Sequence, residues 1–147
     1  MASTVTAANL TVTIVESYTL NGVAYCNTVE KTFTSKGQVD QRIMNVATSE
    51  KTLFNWGAAD DSGTGVAADY VYFRVTNLDD TNFITLRVYN GADSFWYKLA
   101  AGESIMLMNN EMDAITGTTF GALADITLVA AKSDTAACDV EFIAVTA

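Results

Sequence analysis

Residues 69–109 read DYVYFRVTNLDDTNFITLRVYNGADSFWYKLAAGESIMLMN. The period of this stretch is two. Val71, Phe73 and Val75 fall on one face, with Tyr70, Tyr72 and Arg74 on the other. Further on, Ile84, Leu86 and Val88 alternate with Thr85, Arg87 and Tyr89, and Phe95, Tyr97 and Leu99 alternate with Trp96 and Lys98. Such alternation puts one face of a strand on a core and the other towards water or a neighbour. The β-branched and aromatic content suits a pleated surface. Turn residues punctuate the runs at Leu78-Asp79-Asp80-Thr81-Asn82, Asn90-Gly91-Ala92-Asp93 and Ala100-Ala101-Gly102-Glu103. The stretch therefore reads as four strands, 69–77, 82–90, 93–99 and 103–109, in an antiparallel meander.

The same period extends outwards. Further strands are predicted over 10–18, 23–31, 38–47, 50–56, 124–131 and 138–146, giving about ten in all. Ile126, Leu128 and Ala130 alternate with Thr127 and Val129, and Val140, Phe142 and Ala144 share a face near the end. Asn21-Gly22 between two of these runs is a strong two-residue hairpin signal. No segment carries a helical stripe. Residues 57–68 and 111–122, rich in Gly, Thr or Asp, read as loops. Regularly spaced short strands with such turns predict an all-β fold, an antiparallel β-sandwich of jelly-roll-like topology. The expected organisation is a flexible N-terminal arm over 1–9 and one sandwich domain over 10–147.

Length and composition agree. A chain of 147 residues suits one domain, and half of it is hydrophobic, enough for a core. Charged residues make up only 17 %, which argues against wholesale disorder. The net charge of −9 disfavours nucleic acid and anionic membranes as partners, because both select clustered Lys and Arg. No signal-like N-terminus and no apolar run long enough to span a bilayer is seen, so a soluble protein outside the classical secretion route is expected.

Histidine is absent, which removes Ser-His-Asp and Cys-His catalysis. Carboxylates alone would serve a glycosidase, but here they cluster beside turns, where solvated side chains belong. No phosphate-binding loop occurs: Gly63-Thr64-Gly65 lacks the following helix and lysine. Asp60-Asp61 and Asp79-Asp80 offer oxygen ligands to calcium, without the spacing of an EF-hand loop. The expectation is a non-enzyme with no cofactor and no metal site. Cys26 and Cys138 are too few for a disulfide scaffold or a zinc site and read as two buried small side chains in strands, with a bridge between them left open.

The outward positions carry more information. Alternation turns Tyr70, Tyr72, Tyr89 and Trp96 away from the core face, and Ile105-Met106-Leu107-Met108 is apolar on both faces. A sandwich buries one face of each sheet, so large aromatics on the second face ask for a cover. The cover is either the chain's own loops and arm or another protein. Interfaces are enriched in Tyr, Trp, Met and Arg, so Tyr70, Tyr72, Arg74, Arg87, Tyr89 and Trp96 are the candidate contacts. A second possibility is a sugar platform built from Trp56 and Trp96.

The run Tyr72-Phe73-Arg74-Val75-Thr76-Asn77-Leu78-Asp79-Asp80-Thr81-Asn82-Phe83, continued to Val88 and followed by Trp96-Tyr97-Lys98-Leu99-Ala100-Ala101-Gly102-Glu103-Ser104, resembles small all-β virion proteins of tailed bacteriophages. The likeness spans residues 72–104, about a quarter of the chain. It lies in the TNLD-TNF hairpin and the KL-AGES turn. The resemblance implies a soluble, oligomeric, non-enzymatic β-domain made in the host cytoplasm and carried in the virion. Its partners would be other virion proteins, the major capsid protein foremost, and further copies of itself. The implied role is capsid decoration or cementing. A neck or tail component is the alternative within that class, and a carbohydrate-binding module for host attachment is the alternative outside it.

Overall fold

The structure is a computed structural model that describes residues 8–36, 38–56, 64–65, 70–113 and 120–146. The chain forms two compact units, residues 1–38 and 39–147.

The first unit is a long two-stranded ribbon. Strands β1 (Ala8–Leu20) and β2 (Val23–Lys36) pair antiparallel, with Leu20 opposite Val23. Asn21 and Gly22 make the two-residue turn at φ 49° and 80°. Two successive residues at positive φ give the turn whose twist matches the flanking strands, and Asn-Gly is the dipeptide that tolerates both. At about 3.3 Å per residue the ribbon is ~40 Å long.

The second unit is an all-β sandwich, and no helix occurs among the described residues. Its longer strands are β3 (Gln38–Val46), β4 (Lys51–Trp56), β6 (Tyr70–Asn77), β7 (Ile84–Tyr89), β8 (Ser94–Leu99), β9 (Ser104–Leu107), β12 (Leu128–Ser133) and β13 (Cys138–Thr146). Two-residue strands β5 (Thr64–Gly65), β10 (Glu111–Met112) and β11 (Ala124–Asp125) complete it. One sheet has the order β3-β13-β6-β9 and the other β5-β4-β12-β7-β8. Counting the longer strands one to eight along the chain, the sheets read 1-8-3-6 and 2-7-4-5.

This order corrects the expected meander over 69–109. Only β7 and β8 are hairpin neighbours, Ile84 facing Leu99 and Val88 facing Phe95. Strand β6 lies in the opposite sheet, between β13 and β9. The links 78–83 and 100–103 are therefore corners between sheets, not turns within one. Asn77, wholly buried, joins the two corners. Its Nδ2 donates to the carbonyls of Asn82 (2.9 Å), Leu99 (3.3 Å) and Ala100 (3.2 Å), and its Oδ1 accepts from the Asp79 amide (3.1 Å). Corner backbone cannot be satisfied by a ladder, so a side chain does it instead.

The core lies between the sheets. Phe73, Val75, Phe142 and Ala144 meet Phe54, Ile84, Leu86 and Val129, all nearly or wholly inaccessible. Two bulges alter the alternation. Phe54 pairs with Val129 but Thr52 with Ala130, leaving Leu53 as an extra, fully buried residue. Tyr72 pairs with Val145 but Tyr70 with Thr146, leaving Val71 extra. A bulge inserts one residue and reverses the faces beyond it. Tyr70 thereby joins the side of Phe73.

Three other expectations change. The predicted strand 124–131 divides into β11 and β12, and the core-facing residues of β12 are Val129 and Ala131 rather than Leu128. Residues 111–122, read as a loop, begin with β10, which pairs with β11. Cys26 is exposed on the ribbon, whereas Cys138 is buried; both are free thiols. Apart from Thr64 and Gly65, the predicted loop 57–68, with its acidic pair Asp60-Asp61, lies outside the described residues, as do 1–7 of the expected arm.

Candidate functional site

The six residues expected to form one aromatic surface are divided by the fold. Tyr70 reaches no surface. It is 1 % exposed, stacks on Trp56 at 4.7 Å between ring centroids, and donates its hydroxyl to the Leu107 carbonyl at 2.9 Å. Burial pushes its phenol far above the ordinary tyrosine value. The bulge at Val71 is the reason, and it corrects the outward assignment of Tyr70. Trp56 is 2 % exposed within the same aromatic cluster, which rules out the two-tryptophan sugar platform.

Tyr72 and Arg74 lie on the outer face of the β3-β13-β6-β9 sheet. Tyr72 is buried to 6 % exposure beside Val145, and that burial raises its phenol against the opposing pull of Arg74. Arg74 Nη2 meets Glu141 Oε2 at 2.6 Å, and Gln41 Nε2 donates to Glu141 Oε1 at 2.7 Å. Glu141 thus braces three adjacent strands, and Arg74 is a structural partner of it. Val39, Ile43 and Met106 are exposed on this sheet.

Arg87, Tyr89 and Trp96 come together on the outer face of the other sheet. Arg87 faces Trp96 across the β7–β8 ladder, pairs with Glu50 Oε1 at 2.6 Å, and lies 5.5 Å from the Tyr89 ring centre. Tyr89 donates its hydroxyl to Gly91 O at 2.5 Å. Trp96 is 64 % exposed. A shallow hollow of about 330 Å³ opens here, lined by Glu50, Thr85, Arg87, Trp96 and Lys132 over buried Ala130. An aromatic face beside an ion pair and a lysine can stack a flat apolar ring and hydrogen-bond its substituents.

The most exposed apolar surface was not anticipated. The register of β1 and β2 gathers Leu10, Val12, Ile14, Tyr18 and Leu20 with Phe33, Val29, Tyr25 and Val23 on one face of the ribbon. The opposite face carries Thr11, Thr13, Thr19, Thr28 and Thr32. Tyr18, Leu20, Val23, Tyr25 and Val29 on the apolar face are all about half exposed or more. Tyr18 and Tyr25 stack with centroids 5.0 Å apart. The signal was present in the Asn21-Gly22 turn: a two-residue turn makes opposite residues sum to 43, and writing out those pairs reveals the stripe.

Comparison with family models, with curated proteins and with solved structures finds no match. The surfaces must speak for themselves.

Metal-ligating side chains are scattered: among the described residues no group of three or more His, Cys, Asp or Glu converges. Asp79, one of the acidic residues weighed for calcium, accepts from the amides of Thr81 (2.8 Å) and Asn82 (2.6 Å), which hold its carboxyl below the ordinary value. Its oxygen closes a turn. Cys138 is buried beside it; burial first, then the negative charges of Asp79 and Asp134, raise its thiol.

Proposed function

We propose that this chain is a non-enzymatic structural protein of a tailed-phage virion that decorates or cements the capsid lattice. The observation that carries the reading is the open apolar face of the β1–β2 ribbon, with Tyr18, Leu20, Val23, Tyr25 and Val29 exposed along it. An isolated two-stranded ribbon is marginal in water, and a contiguous exposed apolar stripe marks a surface that another polypeptide covers. The sandwich strand order 1-8-3-6 and 2-7-4-5 supports a jelly roll, an architecture of viral capsid domains among others. The net charge of −9 favours solubility of the free protein before assembly. The TNLD-TNF and KL-AGES resemblance supplies the phage assignment. Mass spectrometry of purified particles tests it. The chain should be present in virions at a fixed ratio to the major capsid protein; presence only in infected lysate overturns the reading.

A second reading rests on the Trp96 hollow, with its Glu50–Arg87 pair and Lys132. It makes the chain a glycan-binding module for host attachment. A glycan array with a Trp96→Ala control tests it: binding abolished by the substitution supports the platform, and no binding, or binding untouched by it, rejects it.

A further inference from the structure

We propose that the apolar face of the β1–β2 ribbon is a homotypic interface, covered by the same face of a second copy lying antiparallel to it. The inference rests on the reading that a polypeptide seals this ribbon, and it names that polypeptide. The argument is one of charge register. Along the apolar face the opposed pairs run Leu20–Val23, Tyr18–Tyr25, Glu16–Asn27, Ile14–Val29, Val12–Lys31 and Leu10–Phe33. Between Leu20–Val23 and Leu10–Phe33 the face carries one anion and one cation, and they flank Ile14–Val29 on either side; the next pair, Ala8–Lys36, lies beyond a shift in register. Lys31 lies 5.7 Å from the Phe33 ring centre and has no carboxylate partner among the described residues. Among the described residues Glu16 meets only the side-chain amide of Asn27, at 3.5 Å.

A two-fold axis through Ile14–Val29 solves both charges together. It lays Glu16–Asn27 of one copy over Val12–Lys31 of the other, so each Glu16 faces a Lys31 on the diagonal, twice by symmetry. The same operation lays the Tyr18–Tyr25 stack over Leu10–Phe33 and the two Ile14–Val29 pairs over each other. An isologous contact of this kind must be complementary to itself. Other alignments are not. An axis at Glu16–Asn27 sets glutamate on glutamate, and one at Val12–Lys31 sets lysine on lysine. An axis midway between Ile14–Val29 and either neighbouring pair puts both charges against apolar side chains, and a parallel stacking repeats like on like. Burying an unpaired charge is costly, so the register is selected by exclusion as well as attraction. The two threonine-rich faces are left outside, where they can be solvated.

The test uses the full chain in sedimentation equilibrium over a wide concentration range. The wild type should dimerise. Glu16→Lys and Lys31→Glu should each weaken the dimer by at least about tenfold, and the double exchange should restore it to near the wild-type constant. Circular dichroism of each variant confirms that the fold is kept. A second measurement avoids dependence on affinity: the axis sets Ile14 directly opposite its own copy, so a Cys26→Ser chain carrying Ile14→Cys should form a covalent dimer on mild oxidation. Cys138 is buried, so no bridge within a copy competes. A wild type that stays monomeric at every concentration overturns the inference. So does a dimer indifferent to the single charge changes, or a ribbon that instead floats with neutral phosphatidylcholine vesicles. A monomer nevertheless found in virions would overturn this inference alone. A charge-dependent dimer missing from virions would support it and overturn the virion assignment.

Discussion

The buried side-chain amide of Asn77 donates to the carbonyl oxygen of Ala100 at 3.2 Å, tying the end of β6 to the corner that follows β8. The same nitrogen serves Asn82 O and Leu99 O, and the backbone of Asn77 pairs with Glu103 and Gly102. One residue thus closes two crossings between the sheets. Replacing it by Asp keeps the size, removes the donors and places negative charge against carbonyl oxygens. Asn77→Asp should cost about 3 kcal/mol or more at neutral pH, and Asn77→Ala about 2–3 kcal/mol. Urea unfolding followed by circular dichroism measures both. A loss under about 0.5 kcal/mol for either would show that the corners hold without it.

This corner marks the boundary of what the residues reveal when read in order. Alternation gave the strands of 69–109 to within a residue or two, because each strand's face is written locally. It did not give their partners. Asn77-Leu78-Asp79-Asp80 has the composition of a hairpin turn and acts as a crossing, and nothing local distinguishes the two. The bulge at Val71 was hidden for the same reason: it exists only relative to β13, and it moves Tyr70 from outside to core. The candidate surface failed as a single surface because Tyr72 and Arg74 lie in one sheet and Arg87, Tyr89 and Trp96 in the other. The ribbon was legible in principle, since Asn21-Gly22 sets its register; the face emerges only when both strands are read together.

The two tryptophans make separate optical probes. Trp56 is enclosed by Phe54, Tyr70 and Phe73, and Trp96 stands open on the other sheet's outer face. Trp96→Phe should leave a blue-shifted emission that acrylamide barely quenches, with stability changed by less than about 1 kcal/mol. Trp56→Ala should remove the blue component and cost roughly 3–5 kcal/mol. Equal quenching of both residues would contradict the enclosure of Trp56.

The cysteines separate by accessibility. Cys26 lies exposed on the ribbon opposite Ser17, and Cys138 is buried with its thiol raised by that burial. The thiolate is the reactive form, so Cys138 is protected twice. A chromogenic thiol reagent at neutral pH should label one site per native chain and two in denaturant. Cys26→Ser should abolish the native labelling. Rapid labelling of Cys138 in the folded protein would show that the loop after β12 opens readily.

Asp79 gives a pH dependence whose sign can be worked out. Amides of Asn82 and Thr81 stabilise its carboxylate, so its folded value lies below the ordinary 3.8. A group depressed on folding contributes stability that is complete above the unfolded value and fades as pH falls through the folded one. The contribution of Asp79 should therefore be constant at neutral pH and be lost in acid, beginning near pH 4. Asp79→Asn keeps an oxygen that can accept from the same amides but carries no proton to gain. Comparing thermal unfolding of the two chains isolates the carboxylate from the other acids, which titrate in both. The wild type should be the more stable at pH 7, and the difference should shrink steadily from about pH 4 downwards. A difference that stays constant through that range would mean that the turn 79–82 is held by shape alone. One that grows in acid would reverse the sign of the linkage, and with it the assignment of those two amides as the groups holding the charge.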